Sequence, residues 1–320
     1  MTPPQARWLS DAEVAALLPP PAEAAALARS VLIELADGTI ELPPKPAIHP
    51  RPDGFVNVMP AYCSGLDGAG VKLVSVFPAN GGRGLPAINA LVIVLDSASG
   101  LVRGLLGGAA LTACRTAAAS AACISRLAPS RPGHVALTGA GVEARSHLLA
   151  LAALGRHEVV VWDHRGSNVD ALRAWAAEHV PAVELRGAAS ATDAAVGAAI
   201  VITGIPIGAS GGVVEHEALR PDALTLPIDY STSLSAETAN EAELLLADDV
   251  AQLDGYRGAH FGGWRALDGP VGRWLKDGAP ERPSGQVVVA NLGVGAHDVV
   301  FGSAVLARAE AEGIGALVSI

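Results

Sequence analysis

Apolar residues along this chain are spaced in two ways. Up to residue 110 they recur in stretches that read as strands, over Phe55 to Met59, Val71 to Phe77 and Ala87 to Leu95, with glycine-rich turns between them. Together these stretches suit a sheet of several strands. After residue 133 they gather into short unbroken runs, each followed by a stretch of helical spacing. Strands alternating with helices predict a parallel sheet, and the earlier cluster of strands predicts a separate, mixed lobe.

Local signals place the remaining elements. Ser10-Asp11-Ala12-Glu13 is a capping box for a helix reaching Leu18, and the proline triplet from Pro19 ends it. A second helix is expected from Ala22 to about Leu35, with a turn at Asp37-Gly38. From Leu42 to Pro52 the prolines forbid helix and favour extended chain. Asn80-Gly81-Gly82-Arg83-Gly84 reads as a hairpin turn or substrate-side loop, and Ser99-Gly100 as a turn. A long helix is expected from Leu111 to Leu127, stopped by Pro129 and Arg131-Pro132-Gly133.

The stretch from His134 to Asp163 carries the strongest chemical signal. An apolar run ending at Thr138 is followed by Gly139-Ala140-Gly141-Val142-Glu143-Ala144, a helix closed by Gly155, and a second run, Val159 to Trp162. Asp163 follows, about twenty residues beyond the turn, which is the order of the dinucleotide-binding fingerprint. Gly139 allows the tight turn, Gly141 leaves room for a pyrophosphate at the helix N-terminus, and Ala144 permits close helix–strand packing. Asp163 would accept hydrogen bonds from the adenosine ribose.

Further on, helix is expected over Val169–His179, Ala189–Val196 and Glu237–Ala247, and strand over Ala182–Leu185, Ala199–Thr203, Ala223–Ile228 and Val287–Ala290. The corner at Thr203-Gly204-Ile205-Pro206 should face the nicotinamide half of a coenzyme, since ligands lie beyond the carboxyl ends of strands. Residues 255–285 read as an irregular excursion, and a last helix runs from Gly295 to Glu312.

Composition narrows the class. The 320 residues, half of them apolar and 17% charged, suit a compact globular protein with two cores. A formal charge of -10 argues against nucleic acid or an anionic membrane as partner. No apolar run approaches membrane-spanning length, and the start lacks the apolar core of a signal peptide. Cys63, Cys114 and Cys123 show no paired spacing, which suits a reducing cytoplasm; the last two read as small buried helix residues. The histidines show no ligand spacing, so no metal is expected.

Several strings outside the glycine turn carry a family likeness. They are Lys72-Leu73-Val74-Ser75-Val76-Phe77-Pro78-Ala79-Asn80, Gly84-Leu85-Pro86, Leu111-Thr112-Ala113-Cys114-Arg115-Thr116-Ala117-Ala118, and Asn291-Leu292-Gly293-Val294-Gly295-Ala296-His297-Asp298. In this order, around the glycine turn, the chain resembles the ornithine cyclodeaminase/μ-crystallin family over roughly residues 45 to 315. The resemblance implies an α/β protein: a Rossmann domain of doubly wound parallel sheet, 113–296, set into a mixed α+β substrate and dimerisation domain, 1–112 with 297–320. It implies a homodimer that binds NAD(H) or NADP(H) and moves a hydride to or from the α-carbon of a small amino or imino acid.

Residue by residue, the resemblance makes Arg51, Lys72 and Arg115 substrate contacts, with Arg115 gripping the α-carboxylate. Lys72 and Asp229 become the catalytic pair, Asp229 as acid/base. Coenzyme contacts are expected from Arg115, Thr116, Gly139, Ala140, Gly141, Val142, Glu143, Asp163, His164, Arg165, Thr203, Gly204, Asp229, Val294 and Asp298. The chemistry is consistent: a carboxylate wants arginine's planar fork, and an imine nitrogen needs a group to exchange its proton. An unpaired guanidinium on the apolar helix carrying Arg115 would be costly to bury. The residues alone also allow Arg51 and Lys72 as ordinary surface charges, and Asp229 as a helix cap.

The chain departs from the family pattern in two places. Gly107-Gly108 stands where Asp-Gly is common, and Tyr230-Ser231-Thr232-Ser233 follows Asp229 where cyclodeaminases carry a Pro-Gly-Lys-Thr-Glu-like string. The lost charge favours an imine reductase or amino-acid dehydrogenase over an ornithine or lysine cyclodeaminase. A μ-crystallin-like binding protein is the third alternative. Asp163 favours NAD, while His164-Arg165 leave NADP open.

Overall fold

The computed structural model describes residues 4–51 and 53–320. Residues 1–3, the opening of the proline-led N-terminus, and Pro52, the end of the expected extended stretch, lie outside the described residues. The chain divides into two compact units, Met1–Arg115 with Val294–Ile320, and Thr116–Gly293. The second is therefore three residues shorter at each end than the expected 113–296.

The first unit opens with β1 (Gln5–Leu9), α1 (Asp11–Leu17) and α2 (Pro21–Asp37). Ser10 and Glu13 cap α1 reciprocally, and Gly38 closes α2 in the left-handed conformation, φ 74°. Then come β2 (Ile40–Glu41), β3 (Ala47–Arg51), β4 (Gly54–Cys63), β5 (Gly68–Val76), β6 (Ile88–Leu95) and β7 (Val102–Gly107). Residues 78–83 form a short 3-10 segment joining β5 to β6 as a hairpin, with Phe77 N donating to Ala87 O.

Helix α3 (Ala109–Leu127) crosses from the first unit into the second, where the strand–helix alternation begins. In order these are β8 (Val135–Thr138), α4 (Val142–Ala153), β9 (Glu158–Trp162), α5 (Gly166–His179), β10 (Glu184–Gly187), α6 (Ala191–Ala195), β11 (Ile200–Thr203) and β12 (Leu224–Pro227). They continue with α7 (Ala236–Glu241), β13 (Leu244–Ala247), α8 (Val250–Tyr256), β14 (Gly269–Pro270), α9 (Gly272–Leu275) and β15 (Val287–Ala290). The chain returns to the first unit through α10 (Gly295–Glu312) and β16 (Ala316–Ser319).

The second unit's sheet has the order β10-β9-β8-β11-β12-β15-β13-β14 and is parallel throughout. Its central strands β8, β11, β12, β13 and β15 are buried along their whole length, which explains their unbroken apolar runs. The first unit's sheet runs β16-β1-β7-β6-β5-β4-β2, with β3 on β4; β1 and β7 are parallel and the other pairs antiparallel. One face of it packs against α10, where Met59, Lys72, Val74, Val92, Val94 and Leu106 are buried.

Several expectations are corrected. The helix expected over Glu237–Ala247 ends at Glu241, and Leu244–Ala247 is strand. Leucine favours helix in isolation, but a fully buried run between two strands gains more from ladder pairing and packing on both faces. The strand expected at Ala182–Leu185 lies two residues later, its register fixed by Glu184 opposite Glu158. The stretch 255–285, expected to be irregular, carries the end of α8, β14 and α9, and Asp249 caps α8 by accepting from Ala251 N and Gln252 N. Cys63 and Cys123 are buried, but Cys114 is only half-buried.

Candidate functional site

Two groups of residues carry chemistry, one in each unit. In the first, β5 places Lys72 on the buried face of the sheet, and the first turn of α10 places Asp298 above it. The approach is close because residue 295 is glycine: a Cβ there would come within 2.8 Å of Met59 O, and Met59 is the cross-strand partner of Lys72. Lys72 Nζ lies 2.7 Å from Asp298 Oδ2, and Arg115 Nε, on α3, donates to Asp298 Oδ1 at 3.1 Å. Lys72 also lies 3.5 Å from the Thr112 hydroxyl, which itself donates to Gly108 O. All three charged side chains are buried, at 1% exposure for Lys72, 7% for Arg115 and none for Asp298.

Burial and packing set the charges of this cluster. Burial first, and Arg115's positive charge second, pull the Lys72 ammonium down to about 7, against the opposing pull of Asp298. Burial alone would raise Asp298, but Arg115 and Lys72 together outweigh it and keep the carboxyl below its usual range. The neighbouring His297 is driven down to about 4, mainly by burial, and its Nε2 faces Ala28 O at 3.2 Å. The cluster therefore holds one buried carboxylate between a lysine and an arginine, with a neutral imidazole alongside.

In the second unit the chain turns from β8 into α4 through Gly139-Ala140-Gly141. Gly139 has φ +92°, and a Cβ on it would come within 2.5 Å of Gly204 O, so this position excludes other residues. A Cβ on Gly141 would meet no protein atom within 4 Å, and no side chain caps the helix at that residue. The space and the uncapped helix terminus fit a diphosphate. Asp163, at the end of β9, accepts from Ala140 N at 2.9 Å through Oδ2, and from Arg165 N at 2.8 Å and Asn168 Nδ2 at 2.9 Å through Oδ1. Three of about four acceptor positions are used, leaving room for one ribose hydroxyl rather than two.

Asp229, at the end of β12, is 1% exposed. Its Oδ1 accepts from Thr203 Oγ1 at 2.6 Å, and its Oδ2 from Ser233 Oγ at 2.6 Å and Ile205 N at 3.3 Å. Burial raises its pKa, and the Ser233, Thr203 and Ile205 donors oppose the rise without cancelling it. The next residue, Tyr230, holds φ 62°, a left-handed conformation rare outside glycine, with its ring among those of Tyr256, His260 and Phe261. That turn brings the chain back so that Ser233 reaches Asp229.

Of the expected site residues, Lys72, Arg115 and Asp298 come together, as do the Gly139–Glu143 turn and Asp163, and Thr203, Gly204 and Asp229. Gly204 N donates to Thr138 O, tying that corner to β8. Thr116 is buried on α3, and Val294 is buried just before α10. His164 and Arg165 are exposed, and Arg51 stands exposed at the end of β3, the strand outside the main run of the sheet. Sequence patterning gave no sign of Asn168, Ser233 or Thr112, since single polar residues in loops and helices carry no period. It also missed the buried pair in which His147 Nε2 faces Ser120 Oγ at 3.0 Å, joining α4 to α3. No group of three or more His, Cys, Asp or Glu among the described residues is arranged to hold a metal ion.

A nucleotide-type parallel sheet joined to a mixed unit with a buried cation pair defines a class, and comparison with known proteins gives it a family. The sequence profile of the ornithine cyclodeaminase/mu-crystallin family matches residues 11–250, and the chain belongs to that family. Nodulation efficiency protein NfeD of Rhizobium meliloti is 32% identical over 325 residues, covering 98% of each chain. The Delta(1)-pyrroline-2-carboxylate/Delta(1)-piperideine-2-carboxylate reductase of Azospirillum brasilense is 35% identical over 250 residues, 75% of this chain and 76% of the relative. The fold is that of the Thermococcus litoralis Delta(1)-pyrroline-2-carboxylate reductase, solved in complex with NADH and L-proline. The two agree with a TM-score of 0.85 at 21% identity, over 97% of this chain and 99% of that one.

Proposed function

We propose that this chain is an NAD(P)-dependent imine reductase or amino-acid dehydrogenase that moves a hydride to or from the α-carbon of a small, preferably cyclic, α-imino or α-amino acid. The observation that carries this is the buried set of Lys72, Arg115 and Asp298 in a protein with a dinucleotide turn. A ligand carboxylate suits arginine's planar fork, and the kinship to pyrroline- and piperideine-2-carboxylate reductases names a class of such ligands.

In this reaction Arg115 holds the carboxylate, and Lys72 gives its proton to the imine nitrogen. Asp229, buried with its pKa raised and held by Thr203, Ser233 and Ile205, is the second group that can serve as acid/base, at the end of β12. The nicotinamide, when bound, supplies the hydride. The turn at Gly139–Glu143 would hold its diphosphate, Asp163 a ribose hydroxyl, and the Thr203-Gly204 corner the nicotinamide end. Asp163's charge would repel a 2′-phosphate, which supports NAD over NADP.

The same proposal makes the protein a homodimer. The sheet face turned away from α10 bears Pro60, Val71, Ile93, Leu105 and Trp8 in one row across five strands. Trp8, Val58, Tyr62 and Leu73 are each more than a third exposed there, at 41%, 38%, 38% and 44%. So continuous an apolar face suits a second copy of the chain. Among the described residues no helix is long and apolar enough to cross a membrane. Three free thiols support a reducing cytoplasm.

The test is an assay of Δ1-pyrroline-2-carboxylate, Δ1-piperideine-2-carboxylate and a panel of α-keto acids with ammonia, each with NADH and NADPH. Coenzyme oxidation with a cyclic imine is expected, faster with NADH. Binding of NADH without turnover of any of them would overturn the proposal.

A further inference from the structure

The carboxylate at the end of β9 is held by two backbone donors and one side chain. Ala140 N, in the glycine turn, donates to Asp163 Oδ2, and Arg165 N, just before α5, donates to Oδ1. Asn168, half-buried in the first turn of α5, has its backbone N–H bonded to Arg165 O, and its Nδ2 donates to the same Oδ1 at 2.9 Å. A carboxylate oxygen offers about two lone-pair positions, so protein donors fill Oδ1, while Oδ2 takes one donor beside the turn that would hold the diphosphate. The side chains of His164 and Arg165 follow on the exposed surface. A 2′-phosphate there would be attracted by the Arg165 guanidinium and repelled by Asp163, so the choice of coenzyme depends on where the carboxylate charge stands and whether it is cancelled.

We infer that Asn168 is the positioning residue for coenzyme selection: by filling Oδ1 it holds the Asp163 carboxylate with Oδ2 turned to a ribose hydroxyl, and keeps the anion where a 2′-phosphate would have to fit. This deepens the assignment of the glycine turn and Asp163 to NAD, and rests on it. The chemistry of the amide is what the task needs. It donates a hydrogen bond but is neutral, so it orients the carboxylate without cancelling its charge. With an apolar side chain at position 168, the second position on Oδ1 would be open to the guanidinium of Arg165, two residues from Asp163. An ion pair there would offset the charge that repels a phosphate. Asn168 thus acts on coenzyme choice through Asp163 alone.

Direct binding reads this without turnover: NADH and NADPH are each titrated into the full chain and followed by the fluorescence of the reduced nicotinamide. The unmodified protein should hold NADH more tightly than NADPH. Asn168→Leu should weaken NADH about 3- to 10-fold, the effect of one net hydrogen bond, and leave NADPH no weaker, so that the preference narrows by that factor. Asp163→Ala removes the group through which Asn168 acts, so adding Asn168→Leu to it should change neither dissociation constant by more than about twofold. A side chain that only braced α5 would lower the melting temperature of the coenzyme-free protein and move both coenzymes alike, in either background. An unchanged NADH-to-NADPH ratio in Asn168→Leu, an effect that persists beside Asp163→Ala, or a parent that prefers NADPH would overturn the inference and leave the proposed function standing. A folded parent that binds neither coenzyme would overturn both.

Discussion

The guanidinium at position 115 is 7% exposed and donates to a buried carboxylate, and in the proposed function it holds the substrate carboxylate. Arg115→Met should therefore act on binding more than on the chemical step. A charge-assisted hydrogen bond contributes about 1.5–3 kcal/mol, so KM for an imino-acid substrate should rise about 10- to 100-fold while kcat changes less. Steady-state kinetics beside a circular dichroism spectrum checks this; an unchanged KM in a folded variant refutes it. That Arg115 would be paired was legible in the sequence, because a guanidinium on an otherwise alanine-rich helix is costly to bury alone. Asp298 was legible only through the family string, and its hold on both Lys72 and Arg115 is a property of tertiary contact. Asp163 was visible at its strand end, but Asn168, which occupies one of its oxygens, was not.

At the level of helices and strands, α4 is held to α3 by His147, whose Nδ1 faces Glu143 O at 2.7 Å while Nε2 faces Ser120 Oγ. Burial drives this ring to about 4, and His297 likewise. In the unfolded chain both rings protonate near 6.5, so between pH 6.5 and 4 the unfolded state binds more protons than the folded one. Stability is therefore complete above 6.5 and falls on acidification, by up to about 1.4 kcal/mol per pH unit for each ring. Denaturant unfolding of the parent and of His147→Gln at pH 7 and pH 5 tests it: the variant should lose less stability between the two. Elements with a local signature were readable, such as the capped α1 and the glycine-turned β8–α4. β7, broken by glycine, and the leucine-rich β13 were not, since their strand character comes from neighbours far along the chain.

For the whole molecule, the open apolar face carries the clearest consequence. Leu73 stands 44% exposed near its middle, between Val58 and Leu91 on the flanking strands. Leu73→Lys should convert a dimer to a monomer in sedimentation velocity without loss of the far-ultraviolet spectrum; a parent protein that sediments as a monomer at micromolar concentration refutes the proposed assembly. The mixed sheet and the parallel sheet were legible in the change of apolar spacing near residue 110. The helix that crosses between them has an effect of its own. Because nineteen consecutive residues of α3 serve two cores, neither can melt without fraying the other's backbone. Heating should therefore give a single calorimetric peak, and NADH, whose proposed contacts include the turn at Gly139, should carry that peak upward whole instead of splitting it.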